Sequence, residues 1–361
     1  MWNTQKHSWA CRATIAMLVT GMLMTATVFA MPPHPSLYDG SSAAAKTGRE
    51  IMIPSSHDWH SRGICTPSNF FGNALSQMKK NGDIQASPTA GTYRILAILV
   101  QFSDHPSTVP TTFFDSLVFD TAGKTVKDYF KQISNGTIDL VTVNLPSSLG
   151  WRTAPQTYAY YVNGQQGTGT YPQNSQKLVE DLVDQIDPFV DFSNYDNDGN
   201  GTVDVLLVIH SGTGAEFSGS PNDIWSHKWA ITPRLKDGVT ISDYTVQPEY
   251  WTSPGDMTIG VYSHELCHGF GLPDLYDTDG SSNGIGRWGI MATGSWNGPT
   301  GFGESPAFPC AWSRIHMGIT TPVNLTTNRL SQVLNAIENG GSVYRLWTSG
   351  GASNEHFLVE N

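Results

Sequence analysis

The apolar run YRILAILVQF at residues 93–102 restricts the fold of this chain more than any other feature. A second run, TVDVLLVIHSG at residues 202–212, has the same character. A strand that is apolar at consecutive positions is buried on both faces, as in the centre of a sheet that is covered by helices. Both runs therefore predict central strands of a layered sheet.

Helical and strand-like patterns alternate with these runs. KTVKDYFKQIS (124–134) predicts an amphipathic helix, TIDLVTVNL (137–145) a strand, and MTIGVYSHELCHGFG (257–271) a helix that ends at Gly271. Residues 174–187 predict a helix with Asn174 as its N-cap and one apolar stripe: Leu178, Val179, Leu182, Val183 and Ile186. The alternation predicts an α/β (α+β) domain with a mixed twisted sheet from about residue 91.

The N-terminus has the pattern of a secretory signal peptide. Lys6 and Arg12 precede an apolar stretch at 13–30, which ends in the small-residue pattern Val-Phe-Ala. We therefore predict a signal peptide at 1–30 and a secreted, extracellular protein without a stable membrane anchor; the alternative is an uncleaved anchor. The polar stretch at 31–90 lacks periodicity, and it is expected to be a pro-segment or, alternatively, a linker.

The charge of the chain limits its partners. The formal net charge is −11 and only 14% of the residues are charged. An acidic chain is a poor candidate for nucleic-acid binding, whereas it suits bound cations.

The sequence HELCH at 264–268 predicts a metal site. His264 and His268 are four residues apart, so a helix places both imidazoles on one face, within reach of one zinc ion. Glu265 faces the same pocket next to the first histidine. A carboxylate there is expected to act as general base on a zinc-activated water.

Asp274 is the favoured third zinc ligand. Gly271 permits a left-handed turn after the helix, which brings Asp274 back towards the histidines. The alternative, a downstream Glu in an ExxxD pattern, has no match after His268. Met291 lies in the small-residue segment GRWGIMATGSW (286–296), where a methionine turn beneath the metal is expected; the alternative is ordinary core packing.

The region HELCHGFGLPDLYDTDGSSNGIGRWGIMATGSWNG resembles the active site of the immune inhibitor A-type metallopeptidases, peptidase family M6. YRILAILVQFSD, KDYFKQISNGTIDL, DIWSHKWAI, YTVQPEY and SPAFPCAWSRIHMGITTP also resemble segments of this family. The resemblance implies a metzincin-like zincin catalytic domain at 91–361, made as a secreted zymogen. Family members continue beyond the point where this chain ends in NEHFLVEN, so we expect that the C-terminus of the domain is truncated.

An acidic loop precedes the second apolar run. Asp196, Asp198, Asn200 and Asp204 alternate around Gly201, and the carbonyl of Thr202 takes the seventh position of an EF-hand-like loop. The bidentate Glu of a full EF-hand is absent. We predict a structural calcium ion, supported by a similar loop in the resembled family; the alternative is an Asx-rich turn.

Three cysteines remain once the predicted signal peptide is removed. Cys267 and Cys310 flank the predicted zinc site, so a disulfide between them is expected if their Cα atoms lie within about 7 Å. Cys65 then stays unpaired in the predicted pro-segment. It is either a free or intermolecular cysteine, or a thiolate ligand that blocks the zinc.

The sequence thus predicts a zinc-dependent endopeptidase that hydrolyses peptide bonds in protein or peptide substrates. One alternative is a non-catalytic secreted calcium-binding or adhesive protein with a vestigial zinc site. Another is a zinc hydrolase with a different substrate. The oligomeric state is not predicted.

Overall fold

A computed structural model of the chain describes residues 31–37, 62, 64–65, 91–277, 282–347 and 355–361. The predicted signal peptide and most of the predicted pro-segment lie outside these residues. The strands are β1 (Gly91–Arg94), β2 (Leu96–Gln101), β3 (Ile138–Val141), β4 (Arg152–Thr153), β5 (Leu206–His210), β6 (His227–Lys236), β7 (Val239–Pro248), β8 (Val323–Leu325), β9 (Tyr344–Leu346) and β10 (Phe357–Val359). The helices are α1 (Thr111–Phe119), α2 (Val126–Ile133), α3 (Pro146–Leu149), α4 (Tyr158–Val162), α5 (Ser175–Ile186), α6 (Ala215–Ser218), α7 (Ile259–Gly269) and α8 (Ala311–His316).

A five-stranded mixed sheet forms the centre of the molecule. Its strand order is β4-β2-β5-β7-β6, and all neighbours are parallel except β6, which pairs antiparallel with β7 at the edge. Two smaller sheets, β1-β3 and β10-β9-β8, accompany it. This mixed α/β architecture confirms the predicted fold class at that level.

The two apolar runs form β2 and β5, and both strands are buried on both faces. Alternate residues of β2 belong to different apolar clusters: Leu96 and Ile98 face one layer, whereas Ala97 and Leu99 face the other. The first layer contains α5, and the second contains α7. The apolar continuity of the sequence therefore reflects a sheet that is covered on each side, as predicted.

The predicted helices form where the sequence places them. Asn174 caps α5 by accepting a hydrogen bond from Lys177 N at 3.1 Å, and Thr125 caps α2 in the same way through Asp128 N. The predicted strand at 137–145 is shorter, with β3 ending at Val141. Within the described ranges, no helix is long and apolar enough to cross a bilayer.

Candidate metal centre and active-site cleft

Helix α7 carries the predicted site inside the protein. All eleven of its residues are buried. Beyond its last turn, the ring of Phe270 stacks on Phe130 of α2 with 5.0 Å between the ring centroids. The helix ends because Gly271 has a φ of +86°, a left-handed conformation that glycine adopts without steric cost, and Leu272 N donates to Cys267 O at 3.1 Å. The chain then turns back towards the polar side of the helix.

The two histidines of α7 are oriented by backbone carbonyls. Nδ1 of His264 lies 2.8 Å from Ile290 O, and Nδ1 of His268 lies 2.8 Å from Leu272 O. A carbonyl oxygen only accepts hydrogen bonds, so each Nδ1 donates, and Nε2 is the nitrogen of each ring that is left to bind a metal. This is the arrangement by which metal-binding histidines are fixed in one tautomer.

Asp274 meets both histidines after the glycine turn. Its Oδ1 lies 3.2 Å from Nε2 of His264 and 3.4 Å from Nε2 of His268, and the carboxylate is almost fully buried. The adjacent Leu275 N donates to Met291 O at 2.7 Å, which holds this stretch against the segment that contains Met291. The structure thus brings together the three residues that the sequence predicts as zinc ligands.

The donor atoms of these three residues fit a zinc ion. Nε2 or carboxylate oxygen atoms of His264, His268 and Asp274 lie within 4.8 Å of one another. A tetrahedron of ligands at about 2.1 Å from zinc separates neighbouring ligands by about 3.4 Å, close to the observed spacing of Asp274 from each histidine. Among the described residues, no hydrogen-bond partner meets Nε2 of His264 or either carboxylate oxygen of Asp274. Buried polar atoms rarely stay unsatisfied, so the cluster has the character of a cation site.

Glu265 lies beside this cluster, in a position suited to proton transfer. Its Oε1 accepts a hydrogen bond from Met31 N at 3.1 Å, whereas its Oε2 has no partner within the described part of the chain. Burial raises the pKa of Glu265 to about 8; the nearby His264 opposes this, while Asp274 adds to it. A carboxyl group with a pKa near neutrality can both accept and return a proton.

Residues 31–37 occupy the cleft next to Glu265, although their composition indicates only extended or disordered chain. Met31 is completely buried, and its carbonyl accepts a hydrogen bond from Trp225 Nε1 at 2.9 Å. Trp296 Nε1 donates to Pro32 O at 2.8 Å, and the His34 ring packs edge-on against Trp296 at 4.8 Å. A cavity of about 800 Å³ adjoins this segment. Its lining includes Pro32, Pro35, Tyr276, Arg287 and Trp288.

This segment and Trp225 were not predicted as parts of the site, whereas for Trp296 the sequence left cleft lining and core packing as alternatives. The sequence carries one signal, since MPPHPSL is rich in proline and follows the predicted cleavage point directly. The hydrogen bonds that hold this segment in the cleft join residues that are 194 to 264 positions apart in the sequence. No local sequence pattern predicts such contacts.

Met291 lies in the expected turn region. It is 1% exposed and belongs to the same apolar cluster as Leu266 and Cys267 of α7. Short 3-10 turns at Gly286–Trp288 and Thr293–Trp296 flank it.

The predicted Cys267–Cys310 disulfide is wrong in this structure, where both residues are free thiols. Cys267 points into the apolar core beside Tyr129, and burial raises the pKa of its thiol well above the usual value. Cys310 precedes α8, and its Sγ lies 3.4 Å from Ser313 Oγ. Both cysteines are close to the predicted zinc site in the sequence, but the fold does not bring their side chains together.

The acidic loop forms a network of Asx-type turns. Asp196 accepts hydrogen bonds from Asn200 N and Gly201 N at 3.1 and 2.9 Å, and Asn200 Oδ1 accepts one from Thr202 N at 2.8 Å. Asp204 accepts a bond from Asn197 N at 2.9 Å. Burial, with a contribution from Asp198 and Asp196, raises the pKa of Asp204 to about 7. Three carboxylates from this loop do not converge within 4.8 Å in the described residues, so calcium stays a prediction.

A helix with two histidines and a glutamate, joined by an aspartate from the following turn, defines the class of metallopeptidases with a helical HExxH site. The chain belongs to the immune inhibitor A peptidase family M6. The catalytic domain of this family, described as "Immune inhibitor A peptidase M6, catalytic domain", matches residues 113–318, which is more than half of the chain.

Curated relatives agree with this assignment. Pre-pro-metalloprotease PrtV of Vibrio cholerae serotype O1 is 26% identical over 280 residues, covering 62% of this chain and 29% of the relative. Immune inhibitor A of Bacillus thuringiensis subsp. alesti is 32% identical over 213 residues, covering 48% of this chain and 29% of the relative. The chain thus matches less than a third of the length of either relative.

Proposed function

We propose that this chain is a secreted zinc-dependent endopeptidase that hydrolyses peptide bonds in proteins. The convergence of His264, His268 and Asp274 beside Glu265, in a buried cleft, is the observation that carries the proposal. Membership of the M6 family supports the same chemistry.

The residues of the chain divide the reaction between them. His264, His268 and Asp274 would hold zinc, which supplies Lewis acidity to polarise the scissile carbonyl and the attacking water when it is bound. Glu265 takes a proton from that water and later passes it to the nitrogen of the leaving amine. Met291 would form a methionine turn that supports the ligands from below, since it packs in the same cluster as α7.

We also propose that residues 1–30 are a signal peptide, that 31–90 form a pro-segment and that the catalytic domain starts at about residue 91. Met31, Pro32 and His34 occupy the cleft, and Cys65 lies against the same site. A peptide substrate needs this space, so the chain is expected to be latent until these residues leave.

The activity has a direct test. After proteolytic removal of 31–90, the protein should cleave casein, lose this activity with a zinc chelator and regain it when zinc is added. The intact chain, assayed in parallel, is the control and should be much less active. A product without casein cleavage but with stoichiometric zinc would favour the non-catalytic alternative.

We propose, as a separate structural role, that calcium binds at Asp196, Asp198, Asn200, Thr202 and Asp204. The raised pKa of Asp204 gives this site a pH dependence, because the folded loop without calcium retains a proton that the unfolded chain releases. Without calcium, this group therefore costs stability as the pH rises from about 4 to 7. A bound cation would remove that cost by favouring the ionised carboxylate.

Calcium is therefore expected to raise the melting temperature more at pH 8 than at pH 5. At 100 times its dissociation constant a ligand adds about 2.7 kcal/mol, which corresponds to roughly 5 °C for a domain of this size. Calorimetry with and without calcium measures the shift. Asp198→Asn should abolish it, whereas Asp184→Asn, an exposed carboxylate on α5, should leave it unchanged. An equal shift in both variants would contradict the assignment.

A further inference from the structure

The ring of His34 lies in a pocket that is made of aromatic side chains. Its centroid is 5.0 Å from that of Phe217, 4.8 Å from that of Trp296 and 6.2 Å from that of Phe302, each time edge to face. Such contacts are favourable because the positive edge of one ring meets the negative face of another. Trp251 completes the group, with its ring centroid 5.6 Å from Phe217 and 4.9 Å from Trp296. We call these four side chains the ring pocket.

The walls of the ring pocket are held by the catalytic domain itself. Trp251 Nε1 donates a hydrogen bond to Phe302 O at 3.2 Å, and Thr258 Oγ1 donates to the same oxygen. Trp251 and Trp296 are buried in the apolar cluster that also contains residues of α7. The two hydrogen bonds do not involve residues 31–37, so we expect the walls to keep their positions when that segment is absent.

The ring pocket also offers a polar contact. Nε2 of His34 lies 3.1 Å from Gly301 O, and a carbonyl oxygen accepts hydrogen bonds, so this nitrogen donates. Nδ1 of the same ring accepts a hydrogen bond from Ser36 N at 3.2 Å. A flat ring with an N–H or O–H at its edge therefore satisfies both the aromatic walls and the carbonyl.

Main-chain contacts lead from the ring pocket to the metal centre. Met31 N donates to Glu265 Oε1 at 3.1 Å, and His34 N donates to Glu216 O at 2.7 Å. Both bonds use main-chain atoms of the segment and do not depend on its side chains, as in other peptides that are held in an extended form. The side chain that enters the ring pocket is therefore the part of this stretch by which the cleft can distinguish one peptide from another.

We propose that the ring pocket is a specificity subsite of the cleft and takes an aromatic side chain of the substrate, with the ring edge directed at Gly301 O. The inference rests on the proposed function, because it requires that the cleft binds peptides for hydrolysis. When residues 31–37 leave, the four rings become accessible at a fixed distance from Glu265. His34 is three positions from Met31, so the selected residue lies at one position, at about that separation from the cleaved bond.

A peptide library tests this preference. After proteolytic removal of 31–90, the cleaved peptides should be enriched in aromatic residues at one position relative to the cleaved bond. Phe217→Ala should lower the ratio of kcat/KM between a peptide with an aromatic residue there and its alanine counterpart by roughly tenfold, because a ring contact is lost. Phe357→Ala is the matched control, since this exposed ring lies in β10, and it should keep the ratio.

Hydrogen exchange tests the ring pocket in the full chain, without any processing. His34→Ala removes the ring and should speed exchange of the main-chain N–H of residue 34 by roughly tenfold, because the segment then opens more often. His34→Phe keeps a ring in the pocket and should keep most of the protection. Mass spectrometry of the exchanged chains measures both effects.

The outcomes separate this inference from the proposed function. Casein cleavage without an aromatic preference at any position, or an equal preference in Phe217→Ala and Phe357→Ala, would overturn the subsite and leave the proposed function intact. Equal exchange in His34→Ala and the unmutated chain would also overturn the subsite, even if Phe217→Ala fails to fold. A processed chain that cleaves neither casein nor any library peptide would overturn the proposed function, and the subsite with it.

Discussion

Replacement of Glu265 by Gln is expected to lower kcat/KM for peptide hydrolysis by roughly 100- to 10,000-fold while the bound zinc remains, as is usual when a general base is lost. The amide has the shape of the carboxylate, but it does not take a proton from water. A fluorogenic peptide assay after removal of 31–90, together with metal analysis, measures both quantities.

The matched control for this variant is Glu338→Gln, which changes an exposed carboxylate in the 3-10 turn Ile337–Asn339. It should retain full activity and metal. If Glu265→Gln hydrolysed peptides as fast as this control, the proton would have to pass through another group, and the proposed mechanism would fail. If the variant instead lost its zinc, Glu265 would be a ligand rather than a base.

Asp274→Ala is expected to weaken zinc binding by more than about 100-fold, because the loss of a partner that only orients a ligand already costs 10–100-fold. The carboxylate lies 3.2 Å from Nε2 of His264 and 3.4 Å from Nε2 of His268. Neither histidine can take its position when the carboxylate is removed. Chelator competition measures the dissociation constant, and hydrolysis should fall in parallel at limiting zinc.

Asp184→Ala provides the control, since this carboxylate is half exposed and pairs with Arg234 and Lys236 away from the cleft. Unchanged zinc affinity in Asp274→Ala would mean that the third ligand comes from elsewhere in the chain. Adding excess zinc should restore part of the hydrolysis in Asp274→Ala but none in Glu265→Gln, which distinguishes a binding defect from a chemical one.

The parts of the fold that follow from local physics were predictable. Continuous apolar residues in β2 and β5 report burial on two faces, and the caps Thr125 and Asn174 mark where α2 and α5 begin. The geometry of the metal cluster is local as well. Helical spacing sets His264 and His268, and the left-handed Gly271 returns Asp274 within a few residues.

The rest depends on packing between distant segments. Met31 and Glu265 are 234 residues apart, and the proline-rich segment that begins at Met31 has no periodicity from which its position could be predicted. The predicted disulfide failed for a similar reason, because the direction of the Cys267 side chain is set by the core around Tyr129 and not by its distance from Cys310 in the sequence. The sulfur position of Cys65 likewise depends on contacts with β6.

The position of β6 at the edge of the central sheet has a consequence for a peptide that takes the place of Cys65, whose N–H donates a hydrogen bond to Lys228 O of this strand. Lys228 O accepts a hydrogen bond from a main-chain N–H, so this bond does not depend on the side chain of the residue that donates it. A substrate peptide that paired with β6 at this point would be expected to lack proline there, because proline has no N–H to donate, whereas the other residues have one. Among the cleaved members of a peptide library, proline should accordingly be depleted at one position relative to the cleaved bond, while the other positions along that stretch vary.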